Sequence, residues 1–362
     1  MAGSKRIRLF AEYLVRLHIV KAIVVGKNNG KNGNAGIFNK VPYAFIKFNF
    51  LQLCFSYYKV FELLKKEFDP SKKNVIFLYN GIGLKNYIFS IIGKYQHFKI
   101  ITDIVEDYSV AKENLSWKLK LLLKLNNYFD PYVSKFADGI IVISTTLLKK
   151  YIDYKTPQNK LIIIPVSAEN LFLNLHKEKP DSQPLIFAYS GTYGQRDGVE
   201  LIIEAFKLLL KSNSKVCLHL AGKINEKIKK LISNVSQINY LGLIPDDEYY
   251  QFLQNADVLL MTRINSPYAN AGFPFKLGEY LATGNPVIAT DVSDLKNYLE
   301  DKKDVIFANP SDINSLLETM EFAISNKLVI NEIGKNGYKR CLLYFNPLIN
   351  GSKLEEFLLS IT

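Results

Sequence analysis

Gly272-Phe273-Pro274-Phe275-Lys276-Leu277-Gly278-Glu279-Tyr280-Leu281-Ala282-Thr283-Gly284-Asn285-Pro286-Val287-Ile288-Ala289-Thr290 packs a helix start, a glycine stop and an apolar strand into one run. Lys276 and Glu279 are three residues apart, a spacing that puts both on one face of a helix. A helix N-terminus carries unpaired N–H groups and a partial positive charge, so it suits a phosphate. Lys276 adds a full positive charge there, and Glu279 can accept two hydroxyl hydrogen bonds. A diphosphate and a ribose are the ligands that suit such a pair.

Outward from this run, short apolar segments alternate with helical patterns along the chain. The strand candidates are Lys21–Val25, Asn74–Leu78, Lys99–Asp103, Gly139–Ile143 and Lys160–Ile164. After a polar gap come Leu185–Tyr189, Val216–Ala221, Gln237–Tyr240, Val258–Met261, Pro286–Ala289 and Val305–Phe307. The clearest helices are Val199–Lys211, Pro245–Gln254, Lys276–Ala282 and Ile313–Ser325; Asp246 and Asp247 fall in a first turn, where the dipole favours acids. Alternation of this kind reads as parallel α/β sheet. The polar stretch Ala168–Pro184 reads as a linker between two α/β halves, and Lys27–Asn39, rich in Gly, Asn and Lys, reads as a loop.

At 362 residues the chain suits two domains, and its 48% hydrophobic content is ample for folding. The net charge of +12 and pI near 9.2 fit either a Lys- and Asn-favouring genome or an anionic partner: nucleotide phosphates or a membrane surface. Nothing resembles a nucleic-acid-binding motif, so nucleic acid is not expected as a partner. Cys54, Cys217 and Cys341 show neither metal spacing nor a disulfide framework, which fits a reducing cytoplasm. The four histidines show no pairing, and no metal is expected. No apolar run approaches the roughly 18 to 20 residues of a membrane span. Ser116–Leu125 is apolar with interspersed Lys and, with Tyr128 and Phe129, reads either as a helix lying on an anionic membrane or as a core helix with Lys stems along its edge.

The chain begins unusually for a doubly wound domain. Ser4 reads as a helix N-cap and Arg6–Leu17 has helical spacing, so a first strand, normally central, is missing. The expectation is a reading frame shortened at its start.

Several segments in order carry a resemblance. Tyr189-Ser190-Gly191-Thr192, Gly198–Phe206, Leu218–Gly222, Tyr240–Pro245, Asn255–Leu260 and Pro274–Ala289 resemble the C-terminal domain of retaining glycosyltransferases of the group 1, family 4 class, with the GT-B fold. The first half is similar more loosely, through Ser4–Ile7, Asp103–Tyr108, Ala137–Ser144 and Ile164-Pro165-Val166.

The resemblance implies two facing Rossmann-like α/β domains, the N-terminal one lacking its first strand, with a nucleotide-diphosphate sugar held against the second. The implied divisions are an acceptor-side domain 1–170, a linker 171–184, a nucleotide-sugar domain 185–343, and a C-terminal helix 344–362 packing back on the first domain. Glu279 would bind the ribose, and Lys276 with the helix start the diphosphate. Gly191, Thr192, Arg196, Arg263, Phe275 and Leu277 would complete the donor site. Asp103, Glu106 and Asp107 follow a strand, so Asp103 or Glu106 is a candidate for taking the acceptor's proton; the same acids also suit a helix cap. The implied reaction retains anomeric configuration, needs neither metal nor cofactor, and delivers the sugar to a glycan or lipid-linked glycan. The implied location is the cytoplasm, on the inner face of the membrane.

This chain departs from the family's pattern. The first of the family's two glutamates is Ala271, and Thr192 and Asp197 stand where the family usually has Arg and Lys. The departures keep two rivals open, a non-catalytic subunit of a glycan-assembly complex and a sugar-nucleotide epimerase.

Overall fold

The computed structural model describes residues 2–26, 35–47, 53–80, 83–110, 117–169, 171 and 183–361. In chain order these form α1 (Ala2–Leu14), β1 (Ala22–Gly26), β2 (Ala35–Phe38), β3 (Val41–Lys47), α2 (Leu53–Glu67), β4 (Val75–Tyr79), α3 (Leu84–Tyr95), β5 (Lys99–Ile104), α4 (Trp117–Phe136), β6 (Gly139–Val142), α5 (Thr145–Asp153) and β7 (Leu161–Ile163). There follow β8 (Leu185–Ser190), α6 (Val199–Leu209), β9 (Val216–Ala221), α7 (Glu226–Ile232), β10 (Ile238–Gly242), α8 (Asp246–Gln254), β11 (Val258–Met261), α9 (Pro267–Ala271), α10 (Phe275–Leu281), β12 (Val287–Thr290), β13 (Ile306–Ala308), α11 (Ile313–Ser325), α12 (Lys327–Tyr344) and α13 (Pro347–Ser360). The chain divides into two compact units, Met1–Pro165 with Pro347–Thr362, and Val166–Asn346.

The first unit holds two sheets. In one the order is β1-β3-β2, with β1 parallel and β2 antiparallel to β3; in the other β4-β5-β6-β7 run parallel. The chain enters through α1, and its first strand is Ala22–Gly26. Parallel strands covered on both faces read as continuous β-branched runs, and Ile100, Ile101, Ile140 and Ile141 are wholly buried. Successive residues point to opposite faces. Accordingly Ile101 and Ile141 pack with Phe10, Leu354, Phe357 and Ile361, whereas Ile100 packs with Val60, Leu64 and Phe89. α13 belongs to this core: a Cβ added at Gly351 would lie 2.3 Å from Cγ of Tyr13 on α1.

Local corrections follow from tertiary pairing. Ser4 lies inside α1 rather than capping it, and the helix ends at Leu14, short of Leu17. The Gly- and Asn-rich segment expected as a loop contains β2, held by its register against β3. Of the expected linker 171–184, residues 172–182 lie outside the described residues.

Arg6 ties α1 to the sheet. Its guanidinium donates to both carboxylate oxygens of Asp103, at 2.8 and 3.0 Å, and to the carbonyls of Pro165 and Ile164, at 2.6 and 2.9 Å. Both side chains are essentially excluded from solvent. Every lobe of this ion pair is hydrogen-bonded, which is the condition under which a buried pair is tolerated.

The second unit is a single parallel sheet of order β10-β9-β8-β11-β12-β13. Ile202, Ile203, Phe206 and Leu209 form the buried face of α6 and pack on Phe187, Leu218 and Leu260 of the strands, with α11 joining through Leu316 and Met320. The chain winds outward from β8 in one direction and from β11 in the other. The two central strands therefore flank a topological switch point, where open α/β sheets bind ligands at strand carboxyl ends.

Asp103→Ala leaves the Arg6 charge buried without its counter-ion. The expected loss is about 3–5 kcal/mol of unfolding free energy by denaturant titration; a loss under about 1 kcal/mol would contradict the structural role given to this pair.

Candidate functional site

β8 ends at Ser190, and Gly191 turns the chain with φ of 146°, a conformation that favours glycine. Its N–H bonds the Ala221 carbonyl at 3.0 Å, and the adjacent strand turns in the same way at Gly222, φ 123°. Neither position has room for a side chain. A Cβ at Gly222 would lie 2.0 Å from the Gly191 carbonyl oxygen, and one at Gly191 would lie 2.5 Å from Nζ of Lys276. The bare backbone at the end of β8 thus lies directly beneath the Lys276 ammonium.

α10 is only two turns long and begins at Pro274 without a side-chain cap. Lys276, in its first turn, donates to the Tyr189 hydroxyl at 2.6 Å, and its Nζ is 3.6 Å from an Asp197 carboxylate oxygen. Tyr189 passes its own proton to the Thr192 carbonyl at 2.7 Å, and the other Asp197 oxygen accepts from the Thr192 hydroxyl at 2.9 Å. Burial pushes the Lys276 pKa down to about 8; Asp197 opposes the shift, and the charges of Arg263 and Arg196 add to it.

Glu279 lies one turn further along α10. Its Oε2 accepts a 2.9 Å hydrogen bond from Tyr249 of α8. Tyr249 also contacts the Ser190 hydroxyl at 3.0 Å, so α8, α10 and the end of β8 meet at one polar point. A partly solvated carboxylate and an under-coordinated ammonium thus lie a turn apart at the switch point. The first can accept from a vicinal diol, the second can pair with a diphosphate.

The remaining expected donor residues separate by geometry. Arg196 is half-buried, with its guanidinium 5.0 Å from the Tyr268 ring centroid, and stays within electrostatic reach of Lys276. Arg263 is buried and donates to the carbonyls of Ala269 and Phe273, while its own N–H bonds the Thr290 hydroxyl. It braces the segment that leads into α10, so its hydrogen bonds serve the fold. Thr192 is exposed and its hydroxyl is engaged by Asp197. Phe275 is half-buried, whereas Leu277 is wholly buried.

Asp103 and Glu106 belong to the other unit. The expectation that Asp103 takes an acceptor proton is corrected by its surroundings, because both oxygens are bound by Arg6 in a solvent-excluded site. Glu106 is partly exposed; burial pushes the Asp107 carboxyl up, but hydrogen bonds from Ser109 and the charge of Lys150 together hold it below the usual range. Sequence reasoning missed Tyr189, Tyr249 and the pairing role of Asp197. Tyr189 and Asp197 were in view beside Gly191, but nothing in the spacing links Tyr249 to a carboxylate thirty residues on.

Residues 173–340 match the model of the family described as glycosyl transferases group 1. Over 212 residues the chain is 26% identical to an uncharacterized glycosyltransferase of Methanocaldococcus jannaschii, a stretch that is 58% of this chain but only 56% of that protein. The chain thus spans little more than half the length of that relative. Among solved structures, sucrose-phosphate synthase from Thermosynechococcus elongatus superposes with a TM-score of 0.73 at 18% identity, covering 97% of this chain and 91% of that one. Anabaena HepE, solved in complex with UDP, gives 0.71 at 13% identity, covering 94% of this chain and all of that one. The family match bears out the resemblance carried by the segments from Tyr189 to Ala289. Residues 173–340, which hold the switch point with Lys276 and Glu279 at its mouth, are thus similar to the group 1 glycosyltransferases, and the chain has the GT-B fold of two Rossmann-like α/β units.

Proposed function

We propose that this protein transfers a sugar from a nucleotide-diphosphate sugar to a hydroxyl of a glycan or lipid-linked glycan, with retention of anomeric configuration and without a metal. The observation that carries the reading is the placement of Lys276 and Glu279 one turn apart on α10, with the Lys276 ammonium beside the bare backbone of Gly191. Glu279 accepts from the ribose hydroxyls. Lys276 and Arg196 take the diphosphate and stabilise the charge that grows on it as the glycosidic bond breaks, the term that dominates such catalysis. The sugar's acceptor attacks from the face the diphosphate leaves. Glu106 is the acid retained here for the acceptor's proton, since Asp103 is held by Arg6. That a structural neighbour was solved with UDP supports a nucleotide donor.

A second reading, a non-catalytic subunit of a glycan-assembly complex, draws support from Asp197, whose buried carboxylate shares the diphosphate's cation. Calorimetry with UDP, GDP and ADP separates the two. The transferase reading expects at least one to bind, and Lys276→Ala and Glu279→Ala each to weaken binding about tenfold or more. A folded wild type that binds none of them supports the second reading.

The Lys276 pKa sets a pH dependence. Its charged form binds the diphosphate, and that form is lost as pH rises through about 8. Affinity is therefore expected to be full below about 8 and to fall above it, by at most about tenfold per pH unit, with the fall absent in Lys276→Ala. The ligand-free protein carries the opposite sign. Between about 8 and the ordinary 10.5 the unfolded chain binds the extra proton, so this group makes stability rise with pH. A pH series of titrations and melts measures both.

The proposal includes attachment to the inner face of an anionic membrane. No helix among the described residues is long and apolar enough to cross one. α4 nevertheless exposes Trp117, Leu121, Leu122, Leu125 and Tyr128, with Lys120 and Lys124 among them, which does not fit the core-helix alternative. Flotation with phosphatidylglycerol vesicles is expected to show binding that weakens with salt, and Trp117→Ala with Leu121→Ala to reduce it; no binding at low salt would remove this part of the reading.

A further inference from the structure

Resting on the nucleotide reading above, we infer that Tyr249 is a positioning residue that fixes the Glu279 carboxylate for the nucleotide's ribose and so sets the discrimination of ribose from deoxyribose. Glu279 stands on a flexible stem, and ordering such a side chain costs rotamer entropy each time a ligand binds. In this protein the cost is met before binding. The Tyr249 hydroxyl donates to Oε2 at 2.9 Å, and Tyr249 is itself held through the Ser190 hydroxyl at 3.0 Å. Ser190 is fixed in turn by Tyr280, the neighbour of Glu279 on α10. The Tyr280 oxygen accepts from the Ser190 N–H at 2.9 Å and its proton reaches the Ser190 carbonyl at 3.2 Å. The chain of bonds starts at the rigid end of the central strand β8 and ends at the carboxylate.

The directions of these bonds agree with the role. An ionised carboxylate only accepts, so Tyr249 must give its proton to Glu279 and take one from Ser190. Burial and the Glu279 charge push the Tyr249 phenol well above its ordinary range, so it remains a donor at any working pH. A carboxylate offers about four acceptor positions, and one phenolic donor leaves capacity for two vicinal hydroxyls.

The test titrates UDP, GDP and ADP into the wild-type protein, then pairs the tightest with its 2′,3′-dideoxy counterpart. Tyr249→Phe keeps the ring and removes only the donor. Its selectivity for ribose over dideoxyribose is expected to fall about threefold to tenfold towards that of Glu279→Ala, while affinity for the dideoxy compound stays within about twofold of wild type. A general packing role would weaken both ligands alike. Ser190→Ala, which removes the donor to Tyr249, is expected to lower the selectivity in the same direction and serves if the Phe variant melts early. Unchanged selectivity in both variants overturns the inference alone. Failure of all three nucleotides to bind a folded wild type overturns the nucleotide reading and this inference with it.

Discussion

The Lys276 ammonium rests against the backbone of Gly191, and the chemistry assigned to the second unit depends on that contact. It exists because β8 is followed at once by a residue with no side chain, because α10 begins at Pro274, and because Arg263 braces the segment that leads into it. Burial of a charged amine without full compensation costs free energy, and here the cost shows as a lowered pKa. A ligand with strong negative charge relieves that cost, which is why an under-coordinated cation in such a position is more informative than one on a surface.

The two units handle buried charge in contrasting ways. Arg6 and Asp103 form a closed set: both carboxylate oxygens accept from the guanidinium, and two backbone carbonyls take further donors. Lys276 has one short bond to Tyr189 and a long 3.6 Å approach to Asp197. The closed pair stabilises a fold and has nothing to offer a substrate. The open one can exchange its weak partner for a stronger anion. Asp197 itself is held by Thr192, so the protein supplies a resting counter-ion beside Lys276.

Much of this was legible from residue order. Short continuous apolar runs such as Ile140–Val142 and Val258–Met261, set between helical patterns, read as parallel strands covered on both faces, and they are. The run Pro274–Ala289 showed Lys276 and Glu279 on one helical face. Other parts were not legible, for physical reasons. β2 lies in a polar, glycine-rich stretch, and its pairing with β3 rather than its own propensity makes it a strand. Asp103 looks the same in sequence whether it meets substrate or salt-bridges Arg6, because the two are far apart along the chain. Arg263 likewise reads as a free cation until its carbonyl partners are seen.

The sequence by itself determined the alternation of strand and helix, the two-unit division and the pair of groups at the start of α10, because these follow from periodicity, turn chemistry and short spacings that act locally. Only the tertiary structure decided which charges are closed into the fold and which stay open, and which phenol orients Glu279. Those outcomes depend on donors and acceptors brought within about 3 Å of each other from distant positions, and hydrogen bonding at that range is a property of packing rather than of order along the chain.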